Sequence, residues 1–208
     1  MLKLIVREID DNIIYFIIAL ILLAIIAGFM FYPPFASLVK YRIASIITVA
    51  ALIISAILFS GMGANQIYAD KNKKVLAFLS TLAVTRPMIF TAKLISGLLA
   101  IASLFVPVFI VSRIWVSISF SLAPYKSVMN DYFLAAFLLN VVGYSIGLIT
   151  GWANGKIIPI LGGLLLTLFL YGIIIIKGIG PGDLLGVLVP FILSCWIIAW
   201  RKFKNASF

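Results

Sequence analysis

The chain has 208 residues, of which 64% are hydrophobic and only 11% are charged. Soluble domains carry about 45–50% apolar and about 25% charged residues, so this composition excludes an ordinary soluble domain and predicts an integral membrane protein. The net charge of +10 then indicates basic loops that orient membrane spans rather than nucleic-acid binding, and the absence of histidine excludes histidine-based catalysis and histidine metal ligands.

The first residues, 1–12, predict a short helix that lies in the membrane interface. Leu2, Ile5, Val6 and Ile9 share one helical face, whereas the charged residues lie elsewhere on the helix. The alternative is a frayed basic terminus that only sets the orientation of the chain.

Apolar runs of suitable length follow. At a rise of about 1.5 Å per residue, about 20 apolar residues cross a hydrocarbon core of about 30 Å. Six such runs predict one all-α transmembrane domain, in which Pro107 and Pro190 interrupt two of the helices. The predicted spans cover residues 13–31, 43–63, 94–112, 132–151, 157–176 and 184–200.

The basic residues are distributed unevenly between the two sides of this six-span layout. Eleven of the 16 fall on the side of both termini, and the remaining five fall on the other side. The positive-inside rule therefore predicts cytoplasmic termini in a multi-pass protein of the cell membrane. The eleven are Lys3, Arg7, Lys71, Lys73, Lys74, Arg86, Lys93, Lys156, Arg201, Lys202 and Lys204, and the five are Lys40, Arg42, Arg113, Lys126 and Lys177.

Several kinds of chemistry lack their residues. The nearest match to a nucleotide-binding P-loop, residues 151–157, has too short a spacing between its glycines and ends on Ile157, which offers no hydroxyl to magnesium. No ionisable residue falls near the middle of a predicted span, which argues against proton- or cation-coupled transport. Cys195 is the only cysteine, so neither an intrachain disulfide nor a cysteine-ligated metal cluster can form. We therefore predict no catalytic residue, no metal ligand and no resident cofactor.

The fourth span carries glycines four residues apart, at Gly143, Gly147 and Gly151, which share one helix face. Such a face lets two backbones approach closely. It predicts helix packing, either within one chain or at a dimer or gating interface. Asn140 and Tyr144 on the same helix are candidates for a substrate path, and hydrogen bonding between helices is the alternative.

A polar, basic segment, residues 64–93, separates the second and third spans. Leu76, Leu79 and Leu82 recur there at helical spacing after a group of lysines, which predicts a short amphipathic helix on the cytoplasmic side. One interpretation is a helix whose lysines meet anionic lipid. The other is a helix that contacts a protein partner.

The sequence of this segment resembles a loop of known transporters. Its pattern L-x-x-L-x-x-L-A-V-T-R, followed by a lysine seven residues later, is similar to the L-x-x-L-P-V-S-R loop in permease subunits of type-2 ATP-binding-cassette (ABC) transporters. Ala83 stands where that family usually has proline, and Lys74-Val75 where it usually has Gly-Thr. By this resemblance the ATPase-coupling residues are Lys71, Lys74, Leu76, Leu79, Leu82, Val84, Thr85, Arg86 and Lys93.

The resemblance implies a six-span permease with an interfacial N-terminal helix and a cytoplasmic coupling helix. It further implies a second permease subunit, identical or related, and a separate ABC ATPase that binds ATP and magnesium and drives export by alternating access. Three alternatives remain open: a secondary carrier or channel, a membrane scaffold that transports nothing, and a haem-export type of permease. The substrate cannot be predicted from the sequence.

Overall fold

The computed structural model describes residues 2–31, 38–72, 85–119, 123–152, 165 and 181–205. These residues form six α-helices, and no strand occurs among them. The predicted fifth span lies outside the described residues except for Leu165, and so do residues 73–84 of the coupling segment. The helices are α1 (Leu2–Asp11), α2 (Ile13–Phe31), α3 (Leu38–Asn72), α4 (Arg86–Ser119), α5 (Ala123–Thr150) and α6 (Pro181–Asn205).

Three of the helices are long and apolar enough to cross a membrane: Arg86–Ile114 of α4, Phe133–Thr150 of α5 and Leu185–Asn205 of α6. A fourth candidate is the pair α1 and α2, which meet at an angle of 69°. The prediction of an all-helical protein with apolar membrane-spanning helices is confirmed. The total of six spans stays a prediction.

Large apolar side chains cover the outside of this helical bundle. Ile13, Ile17 and Ile21, spaced by four residues along α2, are each about half exposed, and Val106 and Ile110 of α4 are similarly exposed. Soluble monomers rarely expose contiguous apolar patches of more than a few hundred Å². The outward faces are therefore suited to contact with lipid chains.

The interior is organised around α5, where every residue of 138–148 is buried. Its closest neighbour is α3, and glycines bring the two backbones together. A Cβ on Gly147 would lie 2.2 Å from the carbonyl oxygen of Ser60, and one on Gly151 would lie 2.6 Å from that of Ala64. Gly143 is also buried in α5. Two of the three predicted packing glycines thus contact α3 of the same chain.

The turn between α1 and α2 is held by Asn12, whose side chain is buried. Its Nδ2 donates a hydrogen bond of 2.8 Å to the carbonyl oxygen of Glu8, one of the carbonyls left without a partner where α1 ends. Its own carbonyl accepts a hydrogen bond from the backbone N–H of Tyr15 at the start of α2. This turn orients α1 across the end of the bundle, where it contacts α4.

Helix α5 begins at Ala123 rather than near residue 132, and α3 and α4 also extend well beyond the apolar runs that predicted them. Helix α3 continues to Asn72 rather than ending near residue 63, and α4 begins at Arg86 rather than near residue 94. The added turns are polar in sequence, but Gln66, Asp70 and Lys93 within them are buried and contact one another. Hydropathy locates the apolar section of a helix and does not detect such paired polar turns.

Candidate functional site

A buried group of charged side chains lies where α1, α3 and α4 meet. The ammonium of Lys93 on α4 is 3.0 Å from each carboxylate oxygen of Glu8 on α1, and 2.7 Å from Oδ2 of Asp70 on α3. Lys93 is only 1% exposed, Glu8 3% and Asp70 6%. We call Arg7, Glu8, Asp70 and Lys93 the ion cluster. It joins three helices that are distant in sequence.

The ion cluster is electrically balanced. Arg7 supplies the second positive charge, with Nη2 at 3.0 Å from Oε1 of Glu8 and 4.0 Å from Oδ1 of Asp70. Burying a charge without a partner costs several kcal/mol, so two cations facing two carboxylates make this burial tolerable. Arg7 is the most exposed member, at 31% of its side chain, and its Nε also faces Asp11 at 3.6 Å.

Burial raises the pKa of Glu8 above its ordinary value of 4.5, and the negative charge of Asp70 acts in the same direction. The positive charges of Lys93 and Arg7 oppose this rise, but desolvation is the larger effect. The raised pKa means that Glu8 binds a proton at a higher pH in the folded protein than in the unfolded chain.

A chain of neutral polar groups extends the ion cluster toward α5. The backbone carbonyl of Gln66 accepts a hydrogen bond of 3.3 Å from Lys93, and its side-chain Nε2 donates one of 2.9 Å to Ser96. The hydroxyl of Tyr144 lies 2.7 Å from Oε1 of Gln66 and 2.8 Å from the carbonyl oxygen of Lys93. Its single proton serves two acceptors. The polar network thus includes four helices.

Glycine makes room for the tyrosine in this network. A Cβ at Gly97 would lie 2.1 Å from the ring of Tyr144, so any larger residue there would displace the ring. Tyr144 is fully buried and bonded to α3 and α4. Asn140, the other predicted substrate-path residue, is also buried, and its Nδ2 donates to the carbonyl oxygen of Ala136 within α5. The hydrogen bonds of Tyr144 are of the interhelical kind that the sequence left as the alternative, whereas the Asn140 bond to Ala136 lies within α5.

The structure describes both ends of the predicted coupling segment, residues 64–72 and 85–93. Lys71 lies in the last turn of α3. Thr85 stands just before α4, and its carbonyl accepts hydrogen bonds from the backbone N–H groups of Met88 and Ile89. The predicted coupling residues Lys74, Leu76, Leu79, Leu82 and Val84 lie outside the described residues.

Arg86 links the start of α4 to the end of α6. Its guanidinium donates a hydrogen bond to the backbone carbonyl of Lys204, in the last turn of α6. Carbonyl groups at a helix C-terminus lack partners within the helix and carry partial negative charge, so a cation is favoured there. Nearby, Phe90 of α4 lies 5.4 Å from Trp200 and 5.7 Å from Phe203 between ring centroids.

Lys93 and Arg86, both predicted as coupling residues, differ in their surroundings. Arg86 is exposed, whereas the charge of Lys93 is enclosed by Glu8 and Asp70. A role for Lys93 in coupling stays a prediction. The structure shows that Lys93 joins α4 to α1 and α3. Sequence reasoning placed Glu8 on the polar face of α1 and did not pair it with Lys93, because the two residues are 85 positions apart.

Within the described part of the chain, no group of three or more cysteine, aspartate or glutamate side chains is arranged to hold a metal ion. Comparison of the whole chain with protein-family models finds no match, and a search of curated proteins finds no significant relative.

Proposed function

We propose that this chain is the membrane-embedded permease subunit of an ATP-driven exporter, similar in kind to the type-2 ABC permeases. It is not itself catalytic. A separate ABC ATPase binds ATP and magnesium, a second permease subunit completes the pathway, and both termini lie in the cytoplasm of a cell-membrane complex. Residues 64–93 contain the helix that contacts the ATPase.

The observation that supports this proposal is the ion cluster at the base of that segment. Within the segment, α3 ends two residues after Asp70 and α4 begins seven residues before Lys93, and Lys93 is ion-paired with both Asp70 and Glu8. In the proposed complex, a movement of α3 or α4 at either end of this segment would be passed to α1 through Lys93.

The energy for such a displacement would come from the partner. ATP can shift a two-state equilibrium only through its difference in affinity for the two states. Moving an equilibrium from 1:99 to 99:1 requires about 5.5 kcal/mol of differential binding. Two ATP-binding sites could supply a difference of this size, and rigid joints between helices would transmit it into the membrane.

Arg86 occupies a second joint of the same mechanism. Its bond to the Lys204 carbonyl connects the entry of α4 with the C-terminal helix. In the proposed complex, an acidic surface of the ATPase would compete with or extend this contact. Movement of the segment would then reach α6 through Arg86 as well as α1 and α3 through Lys93.

The test is co-purification of the full-length tagged protein from its native membrane in mild detergent, with ATP hydrolysis assayed on the purified material. We expect an ABC ATPase to co-purify, and Arg86→Glu and Leu79→Asp each to lower its recovery or its hydrolysis rate at least tenfold. The matched control is Arg201→Glu, which makes the same charge change at an exposed position near the end of α6 and should leave both quantities unchanged.

Three results would contradict the proposal. A clean preparation without any ATPase would favour a carrier, a channel or a scaffold instead. Recovery of an ATPase that is equally insensitive to Arg86→Glu and Leu79→Asp would place the contact elsewhere on the chain and exclude the assigned coupling segment. Substrate flux into vesicles without ATP would identify a carrier or channel directly.

A further inference from the structure

A cleft with a volume of about 400 Å³ lies between α4 and α5, away from the ion cluster. This volume is within the range of about 300–1,000 Å³ that is typical of small-molecule sites. Its walls carry four phenylalanines and the aliphatic residues Val106 and Leu134. Val106 is 53% exposed and Leu134 37%, so the cleft opens on the outer face of the bundle. The phenylalanines are Phe105, Phe109, Phe133 and Phe137.

The aromatic rings of the cleft form two layers across the interface. Phe105 meets Phe137 edge to face at 6.0 Å, and Phe109 meets Phe133 edge to face at 5.6 Å. These pairs fix the antiparallel register of the two helices, since each step of four residues up α4 matches four residues down α5. One further step along this register brings Arg113 of α4 to the level of residue 129 of α5, next to Asn130.

The polar groups near the cleft lie at one end: Asn130 lines it, and Arg113 stands just beyond its lining, beside Phe109. The guanidinium of Arg113 is 5.3 Å from the centroid of the Phe109 ring, within the distance of a cation–π contact. Arg113 is exposed and forms no ion pair within the described part of the chain. The buried Oδ1 of Asn130 accepts no hydrogen bond from the described residues. The cleft thus has an apolar body and, at one end, a buried hydrogen-bond acceptor without a partner among the described residues, with the Arg113 cation next to that end.

The position of this polar end along α4 matches a membrane surface. Lys93 and Arg113 are 20 residues apart, which corresponds to about 30 Å of helix and to the thickness of the hydrocarbon core. If Lys93 lies at one edge of the core, Arg113 lies at the headgroups of the opposite leaflet. Phe109 and Phe105, four and eight residues from Arg113 along α4, then lie at the level of the acyl chains.

We propose that this cleft binds one anionic phospholipid of the bilayer. An acyl chain occupies the space between the phenylalanine layers, and the phosphate pairs with Arg113. A hydroxyl of the headgroup, such as that of phosphatidylglycerol, donates a hydrogen bond to Asn130. The cleft opens on the lipid-facing side of the bundle, so a bilayer lipid can enter it laterally. This site does not depend on the proposed export function.

The experiment measures lipid retention by the purified full-length protein with native mass spectrometry in detergent. Phosphatidylglycerol and phosphatidylcholine with identical acyl chains are offered together. We expect one tightly held lipid, with phosphatidylglycerol preferred about fivefold or more, because one basic residue near the headgroups contributes a factor of that size. Arg113→Gln should abolish the preference, Arg113→Lys should restore it, and Leu134→Trp should fill the cleft and remove binding of both lipids.

The control Arg201→Gln removes an exposed cation from the other end of the bundle. It measures how much phosphatidylglycerol the protein retains through general attraction to its basic surface. The site is refuted if Arg113→Gln and Arg201→Gln lower phosphatidylglycerol binding equally, since the attraction would then be general. It is also refuted if Leu134→Trp leaves lipid retention unchanged. Rescue by Arg113→Lys shows that a loss in Arg113→Gln comes from the missing charge and not from unfolding.

Discussion

Replacing Lys93 with methionine is the sharpest test of the ion cluster. The side chains have similar length, but methionine removes the positive charge that lies 2.7 Å from Asp70 and 3.0 Å from Glu8. Arg7 alone would then face two buried carboxylates. Breaking a buried ion pair by removing one partner costs about 3–5 kcal/mol, because the other charge is left without compensation.

The protonation of Glu8 sets an independent limit on this cost. In the variant, Glu8 can restore the balance of charge by binding a proton. Holding a proton at pH 7 on a carboxyl whose ordinary pKa is 4.5 costs about 3.4 kcal/mol, at about 1.36 kcal/mol per pH unit. At pH 5 the same step costs only about 0.7 kcal/mol. The loss of stability in Lys93→Met should therefore be about 3 kcal/mol at pH 7 and clearly smaller at pH 5.

The assay is the free energy of unfolding in mixed micelles of mild detergent and SDS, measured at both values of pH. The double variant Lys93→Met/Glu8→Gln keeps Arg7 and Asp70 as a balanced pair and should recover at least half of the loss at pH 7, because uncharged replacements of buried pairs are tolerated. Lys3→Met, at an exposed position of α1, is the control and should change stability by less than about 0.5 kcal/mol.

Three results would refute this reasoning. One is a loss of stability below about 1 kcal/mol for Lys93→Met at pH 7, since leaving a buried charge without compensation costs about 3–5 kcal/mol. Another is a loss that is the same at pH 5 and pH 7, because Glu8 would then not be the proton acceptor. The third is additivity in the double variant, which would mean that Lys93 and Glu8 do not interact.

The remaining predictions concern the same junction and its neighbours. Because the pKa of Glu8 is raised, the folded protein holds this proton more tightly than the unfolded chain does. The resulting contribution to the free energy of unfolding is complete below pH 4.5 and is lost as the pH rises through the raised pKa. Glu8→Gln should therefore flatten the dependence of the free energy of unfolding on pH. Gly147→Ala should lower the free energy of unfolding by about 1–3 kcal/mol through a clash with the α3 backbone, whereas Gly186→Ala, with open space around its Cβ, should raise it by about 0.5–1 kcal/mol. Gly97→Ala should displace the Tyr144 ring and increase hydrogen exchange at the start of α4, and unchanged exchange would show that the tyrosine does not hold α3 to α4.

Sequence patterning predicted the apolar helices and their order well. The first apolar run, residues 13–31, corresponds to α2 with the same limits, because Asn12 begins it and the whole run is apolar. The runs at 94–112 and 184–200 fall inside α4 and α6. Hydropathy succeeds there because burial in lipid rewards apolar side chains over the whole length of a span.

The same patterning failed where polar residues compensate one another. Asp70 and Lys93 lie beyond the apolar runs, and their burial in the continuing helices is compensated by the pairing of Lys93 with both Asp70 and Glu8. A helical wheel of α1 places Glu8 on its polar face, but it contains no information about a partner 85 residues away. The sequence did contain one signal of the ion cluster. Lys93, Glu8 and Asp70 all lie near the ends of predicted spans, and the positive-inside rule places those ends on the same side of the membrane.

The position of the ion cluster also explains how stability and coupling can be separated by mutation. Lys93→Met/Glu8→Gln is expected to fold, but it lacks the charged bonds that hold α1 to α4. If the cluster only stabilises the fold, this variant should retain wild-type ATP hydrolysis in the co-purified complex. If the cluster transmits movement from the proposed coupling segment, ATP hydrolysis should persist in this variant while ATP-driven transport is lost, because α1 is no longer tied to α4. Loss of ATPase binding in the double variant would contradict both interpretations, since neither residue is exposed to a partner.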